Sequence, residues 1–147
     1  MFKHLLVPVD ASALSARAID VGLDLAREFA AAITAFIAEP PAPAPATGRG
    51  LWHYLDAAAA QRQIAERHAE SVLANFERRA AAAGIPFEGL YAQSTDVDAA
   101  IDAVARERGC DVIVMVTHGA GSFGGRWSRS CTQRMVARTR LPLLVIH

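Results

Sequence analysis

Short, mostly apolar runs alternate along the chain with stretches in which apolar residues recur every three or four positions. His4–Val9 and Asp111–Val116 are nearly continuous apolar runs, which is typical of strands buried on both faces of a sheet. Phe87–Gln93 is less hydrophobic, so we predict a strand nearer the sheet edge. The predicted strands are His4–Val9, Ile33–Ala38, Phe87–Gln93, Asp111–Val116 and Leu141–Ile146.

The segments between these runs carry the spacing of amphipathic helices. Ser12 and Ser15 are candidate N-caps of a first helix. Leu51–Ala83 is a long helical region, and Gly84 is placed to terminate it. The apolar stripe predicted for this long helix consists of Ile64, Val72, Leu73, Phe76 and Ala80.

Turn and cap residues define the remaining connections. Residues 39–50 contain four prolines, which predict an exposed loop because proline lacks the N–H that helices and ladders need. Thr95 or Asp96 can cap a third helix that ends near Gly109. A fourth helix is predicted over roughly Ser130–Arg138.

This repeated strand–helix order predicts one α/β domain over residues 1–147, a doubly wound parallel sheet with helices on both faces. Ligands of such sheets bind outside the carboxyl ends of the strands, where the strand order reverses. The predicted site therefore lies around Asp10 and the segment Val116–Ser130. Asp10 suits hydrogen bonds from a ribose or an amine, but capping of its own helix or of loop amides explains it equally well.

A loop rich in glycine and serine follows the strand that ends at Val116. Backbone N–H groups of such a loop can hold a phosphate, helped by the next helix N-terminus, yet a flexible surface loop also explains the glycines. Neither GxxxxGK[ST] nor a GxGxxG that opens a helix is present. His118 is a candidate general base, but no nucleophile accompanies it in a recognisable arrangement.

Composition narrows the classes of partner. The chain is 52% hydrophobic and 20% charged, with a formal net charge of zero, which argues against binding to nucleic acid or to an anionic membrane. No export signal or long apolar span is recognisable, so we expect a cytoplasmic protein. Cys110 and Cys131 are then expected to be reduced, buried thiols, and no histidine or cysteine pair has metal-site spacing.

Both ends of the sequence resemble universal stress proteins. LLVPVDASALSARAID is similar to the family's opening strand, which ends in V-D-G-S before a Ser- and Ala-rich helix. VIVMVTHGAGSFGGRWSRSCTQRMVARTRLPLLVIH is similar to its closing block of strand, glycine loop, helix and Pro-containing strand. The resemblance implies an adenine-nucleotide alpha-hydrolase-like fold with five parallel strands in the order 3-2-1-4-5. It also implies a homodimer, which we expect to form through Leu141–Ile146.

The resemblance also implies a nucleotide site whose glycines are mostly replaced here. ATP-binding members carry G-x-x-G, nine residues, then G-[S/T]; the aligned positions are Val116, Gly119 and Arg129, followed by Ser130. Valine disfavours positive φ and adds a branched side chain where sugar and phosphates would lie, although a guanidinium at Arg129 can itself hold phosphate. The implied site residues are Pro8, Asp10, Ile37, Met115, Val116, Gly119, Arg129, Ser130 and Cys131.

Three functions follow from these features. The first is a non-catalytic stress-response or regulatory dimer that binds ATP weakly or not at all and contacts protein partners that the sequence does not identify. The second is an ATP-binding switch at the carboxyl ends of strands 1 and 4. The third is a hydrolase that uses His118 as its base, for which no partner residue is recognisable.

Overall fold

The structure is a computed structural model that describes residues 1–10, 14–41, 50–117 and 129–147. Its elements agree with the predicted ones to within about two residues at most ends. In chain order they are β1 (His4–Pro8), α1 (Leu14–Phe29), β2 (Ala32–Glu39), α2 (Leu51–Ala82), β3 (Phe87–Gln93), α3 (Val97–Glu107), β4 (Val112–Val116), α4 (Arg129–Arg138) and β5 (Leu143–Ile146).

The strands form one five-stranded parallel sheet in the order β3-β2-β1-β4-β5, which confirms the predicted fold class and the edge position of β3. β1 lies at the centre, where Leu5 pairs with Ile33 of β2 on one side and with Val112 of β4 on the other. The direction of winding reverses between β1 and β4. The carboxyl ends of these two strands therefore border the open crevice of a doubly wound sheet.

The sheet has a separate apolar core on each face because side chains alternate along a strand. Leu5 and Val7 pack against α1 and α2, whereas Leu6, between them, packs against α3 and α4. Gly22 brings α1 close to its neighbours, since a Cβ there would lie 3.1 Å from the Phe76 ring. Helix boundaries follow local chemistry: Gly84 ends α2 with a φ of +68°, and the Asp96 side chain accepts a 3.0 Å hydrogen bond from the Ala99 N–H.

Three sequence expectations are wrong. Ser15 lies inside α1 and is not its N-cap. Ile64 is 68% exposed, because α2 has 32 residues and spans about 48 Å, so its first half extends beyond the end of β3. β5 begins at Leu143 and not at Leu141. Pro142 has no N–H to donate to the ladder, and only its carbonyl bonds to β4, where it accepts from the Ile113 N–H.

Candidate functional site

The first side of the crevice is the segment that follows β1. Pro8 is the last residue of the strand and pairs with Phe36, and the Val9 N–H donates to the Phe36 carbonyl at 2.9 Å. Asp10 comes next and is only 4% exposed. It lies four residues before Leu14, the first described residue of α1, and the three residues between them are outside the described part of the structure. A buried carboxylate is thus held at the carboxyl end of the central strand.

The second side of the crevice is the end of β4, where the strand remains regular. Val116 pairs with Ile146, and the N–H of Thr117 donates to the Ile146 carbonyl at 2.8 Å. Thr117 Oγ1 lies 2.8 Å from His147 Nδ1, and Arg17 donates to the His147 carbonyl. Val116, where ATP-binding members of the resembled family carry glycine, is therefore an ordinary strand residue, and the residue after it is hydrogen-bonded to β5.

The side chain of Val116 differs from expectation. It is 5% exposed and lies in the core cluster beneath α1 and α2. The side chain is therefore packed in the apolar core, with little of its surface exposed at the crevice. Valine is β-branched and favours an extended backbone at this end of β4.

The other expected site residues divide between the two faces of the sheet. Met115 and Cys131 lie in the core cluster beneath α3 and α4, and Ile37 lies in the opposite cluster. Ser130 is exposed in the first turn of α4. Arg129 begins that helix, but its side chain is outside the described part of the structure, as are Gly119 and His118.

A buried polar contact that the sequence did not predict fixes the start of α4. The Cys131 thiol donates to Asp98 Oδ1 at 3.0 Å, and Arg134 forms an ion pair with the same carboxylate, which is only 4% exposed. Arg138 pairs with Asp96 at 3.0 Å. The first turn of α3 therefore holds α4 at both its beginning and its end.

Burial also sets the chemistry of the two thiols. Burial, together with the neighbouring Asp98 carboxylate, raises the pKa of Cys131 to about 12. Burial also raises the pKa of Cys110, to about 11. Both cysteines are free and buried, as predicted. Because the thiolate is the reactive form, both side chains are inert at neutral pH.

We expect thiol-labelling reagents to react with the folded protein at least ~100-fold more slowly than with the denatured chain at the same mildly alkaline pH. A raised pKa keeps each thiol protonated until the pH approaches that pKa, so the native rate should keep rising through this range. Absorbance of released thionitrobenzoate measures the rate, and Cys110→Ser isolates Cys131. Equal rates in the folded and denatured states would contradict this description of the thiols.

Two other kinds of site are not found among the described residues. Within residues 1–10, 14–41, 50–117 and 129–147, no group of three His, Cys, Asp or Glu side chains is arranged to hold a metal ion. In the same residues no helix is both long and apolar enough to cross a membrane. Even α2, at 32 residues, is interrupted by arginine and glutamate along its length.

Comparison with known proteins supports the family resemblance over the whole chain. The model of the universal stress protein family matches residues 1–147. Universal stress protein YxiE of Bacillus subtilis (strain 168) is 25% identical over 154 residues, covering 100% of both chains.

Solved structures extend the comparison to the fold. A universal stress protein family member from Burkholderia pseudomallei is 25% identical, with a TM-score of 0.70 and coverage of 98% of this chain and 95% of that one. A universal stress protein solved in complex with cAMP is 20% identical, with a TM-score of 0.68 and coverage of 99% and 97%. With the 3-2-1-4-5 sheet and a family match to every residue, the chain belongs to the universal stress protein family.

Proposed function

We propose that this chain is a single-domain, non-catalytic stress-response protein that acts in the cytoplasm as a dimer and binds ATP weakly or not at all. Membership of the universal stress protein family supports the general role. The observation that carries the statement on ATP is that β4 stays regular to Val116 and that the Thr117 N–H is bonded to Ile146. A regulatory protein of this kind acts through contacts with other proteins.

The strand end is poorly suited to a nucleotide triphosphate. Glycine at position 116 would let the backbone turn toward the phosphates, whereas a non-glycine residue forced into a left-handed conformation costs about 1–2 kcal/mol. Turning the chain here would also break the Thr117–Ile146 hydrogen bond and withdraw Val116 from the core. These costs add at one position, which supports weak ATP binding.

A nucleotide-binding switch is the second candidate. Buried Asp10 at the end of β1 can accept hydrogen bonds from a ribose, and the start of α4 offers backbone N–H groups beside Ser130. A similar fold has been solved with cAMP, a nucleotide with one phosphate. A single phosphate needs fewer backbone contacts than the three of ATP.

Equilibrium binding of labelled ATP with magnesium, and of labelled cAMP, tests the proposal. We expect no saturable ATP binding by the wild type at micromolar concentration. Val116→Gly/Arg129→Gly should bind at least ~10-fold more tightly, a gain of about 1.4 kcal/mol, because glycine removes the backbone restriction.

Val116→Ala/Arg129→Ala is the matched control, since it removes the same side chains without the conformational freedom of glycine. An alanine pair that gains as much affinity would mean that side-chain bulk, not backbone shape, limits binding. Tight ATP or cAMP binding by the wild type would contradict the leading proposal and favour the switch. Loss of that affinity in Arg129→Ala would then place the guanidinium on the phosphate.

The dimer is proposed to form through β5, which lies at the sheet edge with β4 as its neighbour. All four residues of the strand are apolar and none is fully buried in the single chain; Leu144 is 36% exposed. An apolar edge strand exposes unpaired backbone groups that another strand can satisfy. Two copies of β5 paired about a two-fold axis would cover both edges with one self-complementary surface.

A further inference from the structure

One flank of α4 carries an apolar side chain that the single chain leaves uncovered. Val136 is 65% exposed, although it follows Met135, which is fully buried. Leu144 of β5 is 36% exposed. Val136 lies two residues before the end of α4, and Leu144 lies one residue after the start of β5. Both exposed side chains are therefore close to the connection of residues 139–142 that joins the two elements.

The contacts of α4 show which way Val136 faces. Cys131 and Met135 lie in the core that α4 shares with α3 and the sheet. Arg134 and Arg138 pair with carboxylates at the start of α3, so they mark the flank of α4 that faces this helix. Val136 is two residues from each of these arginines, which at 3.6 residues per turn places it about 160° from both. Val136 therefore lies on the flank turned away from α3.

This outer flank lies toward the free edge of the sheet. α3 packs on β2, and α4 lies beside α3 in the same core as Leu143 of β5. Because the strand order is β2-β1-β4-β5, the direction from α3 to α4 leads to the edge that β5 forms. Ile146 belongs to the core beneath α1 and α2, so Leu144, two residues earlier, faces that side of the sheet. Val136 and Leu144 thus flank β5 on opposite faces of the sheet.

Charge is distributed unevenly around α4. The side chains of Arg134 and Arg138 are directed to α3, where Asp98 and Asp96 neutralise them. Thr132, one turn before Val136, lies on the outer flank with it and is also uncharged. A second helix can therefore approach this flank without bringing two like charges of α4 together.

The proposed contact between two β5 strands is small by itself. The carbonyls of Pro142 and Ile146 accept from β4, so Leu143 and Val145 direct their backbone groups to the free edge. Antiparallel strands that pair through both residues are centred on Leu144 and exchange about four hydrogen bonds. Standard protein interfaces involve about 20–30 residues on each side, far more than a four-residue strand supplies. A stable dimer therefore needs further surface beside β5.

We propose that a second copy of this chain covers Val136, so that the two α4 helices pack against each other across the two-fold axis. This inference rests on the β5-paired dimer proposed above. Pairing of antiparallel strands in one continuous sheet requires an axis perpendicular to the sheet, which puts both copies of α4 on the same face with their outer flanks turned toward each other. Val136 of each copy then forms the apolar centre of the helix contact, and Thr132 lies at its border.

Crosslinking between copies tests this geometry. Val136→Cys introduces one reactive thiol, because both native cysteines are buried. A short bismaleimide, added where the wild type is dimeric, should convert this variant to a covalent dimer on a denaturing gel. Ala137→Cys is the matched control, since Ala137 is exposed and lies about 160° from the outer side of Arg134 and Met135 combined less than Val136 does toward β5, and it should remain a single chain. Equal crosslinking of the two variants would overturn the proposal.

Sedimentation of charged variants measures the energetic contribution. Val136→Lys should raise the dimer dissociation constant at least ~10-fold, because it replaces an apolar contact with two like charges near the axis. Ala137→Lys adds the same charge one position along the helix and should leave the constant within about 2-fold of the wild type. Thermal melts establish that both variants are folded.

The outcomes separate this inference from the proposed dimer. A monomeric wild type would contradict the dimer and the helix contact together. A dimer that Val145→Pro dissociates, but that Val136→Lys leaves at wild-type affinity, would retain the β5 pairing and exclude the contact between the two α4 helices.

Discussion

Replacing Phe76 with alanine should lower the free energy of unfolding by about 3–5 kcal/mol. Phe76 is fully buried in the last third of α2 and packs on the Phe87 ring with a centroid separation of 4.9 Å. It also fills the space that Gly22 leaves on α1. Removal of the ring would open a cavity where α1, α2 and the sheet meet. Gly22, which lies against the ring, has no side chain that could fill this cavity.

Urea denaturation monitored by circular dichroism measures this loss. Phe29→Ala is the matched control, because Phe29 is only partly buried; its ring packs at the margin of the same core and makes an edge contact with Phe2 at 5.4 Å. We expect its cost to be less than half that of Phe76→Ala. A cost for Phe76→Ala equal to or below that of Phe29→Ala would show that α2 is not held to the sheet as described.

If the protein is the β5-paired dimer proposed above, replacing Val145 with proline should convert it to a folded monomer. The Pro142 and Ile146 carbonyls accept from β4, so the backbone groups of the intervening odd-numbered residues, Leu143 and Val145, point to the free edge. Proline at position 145 removes an outward N–H and leaves the β4–β5 ladder intact, as edge strands tolerate. Val145→Lys should give the same result by placing a charge in the interface.

Leu144→Pro is the control for position, since the Leu144 N–H points inward to β4. We expect it to destabilise the fold and to leave a mixture of monomer and aggregate. Analytical ultracentrifugation at micromolar concentrations distinguishes these states. A monomeric wild type, or an intact dimer of Val145→Pro, would show that the interface is not β5.

The elements that could be predicted from sequence are those whose signal is local. β1 and β4 were predictable because runs such as Val112–Val116 are apolar at every position, and the end of α2 because Gly84 accepts a positive φ. Ile64 was misassigned because helical spacing shows which residues share a face, but not where the underlying sheet ends. That limit is set by tertiary geometry.

The candidate sites were less predictable, for related reasons. The Asp98–Cys131 contact joins residues 33 positions apart, and nothing in either neighbourhood marks the pair. Glu39 was assigned to the proline-rich loop, but β2 continues to include it and its side chain is buried. The crevice at β1 and β4 could be placed beforehand, because parallel strands of a doubly wound sheet end there.

The links between α3 and α4 bear on how the protein opens locally. α4 has ten residues, fewer than a helix needs to be stable alone in water. The ion pairs of Asp96 and Asp98 with α4 therefore contribute to the stability of this helix. We expect the two helices to unfold together, as one cooperative unit. A ligand or partner that orders the start of α4 should consequently slow amide hydrogen exchange along α3, which packs on the same face of the sheet.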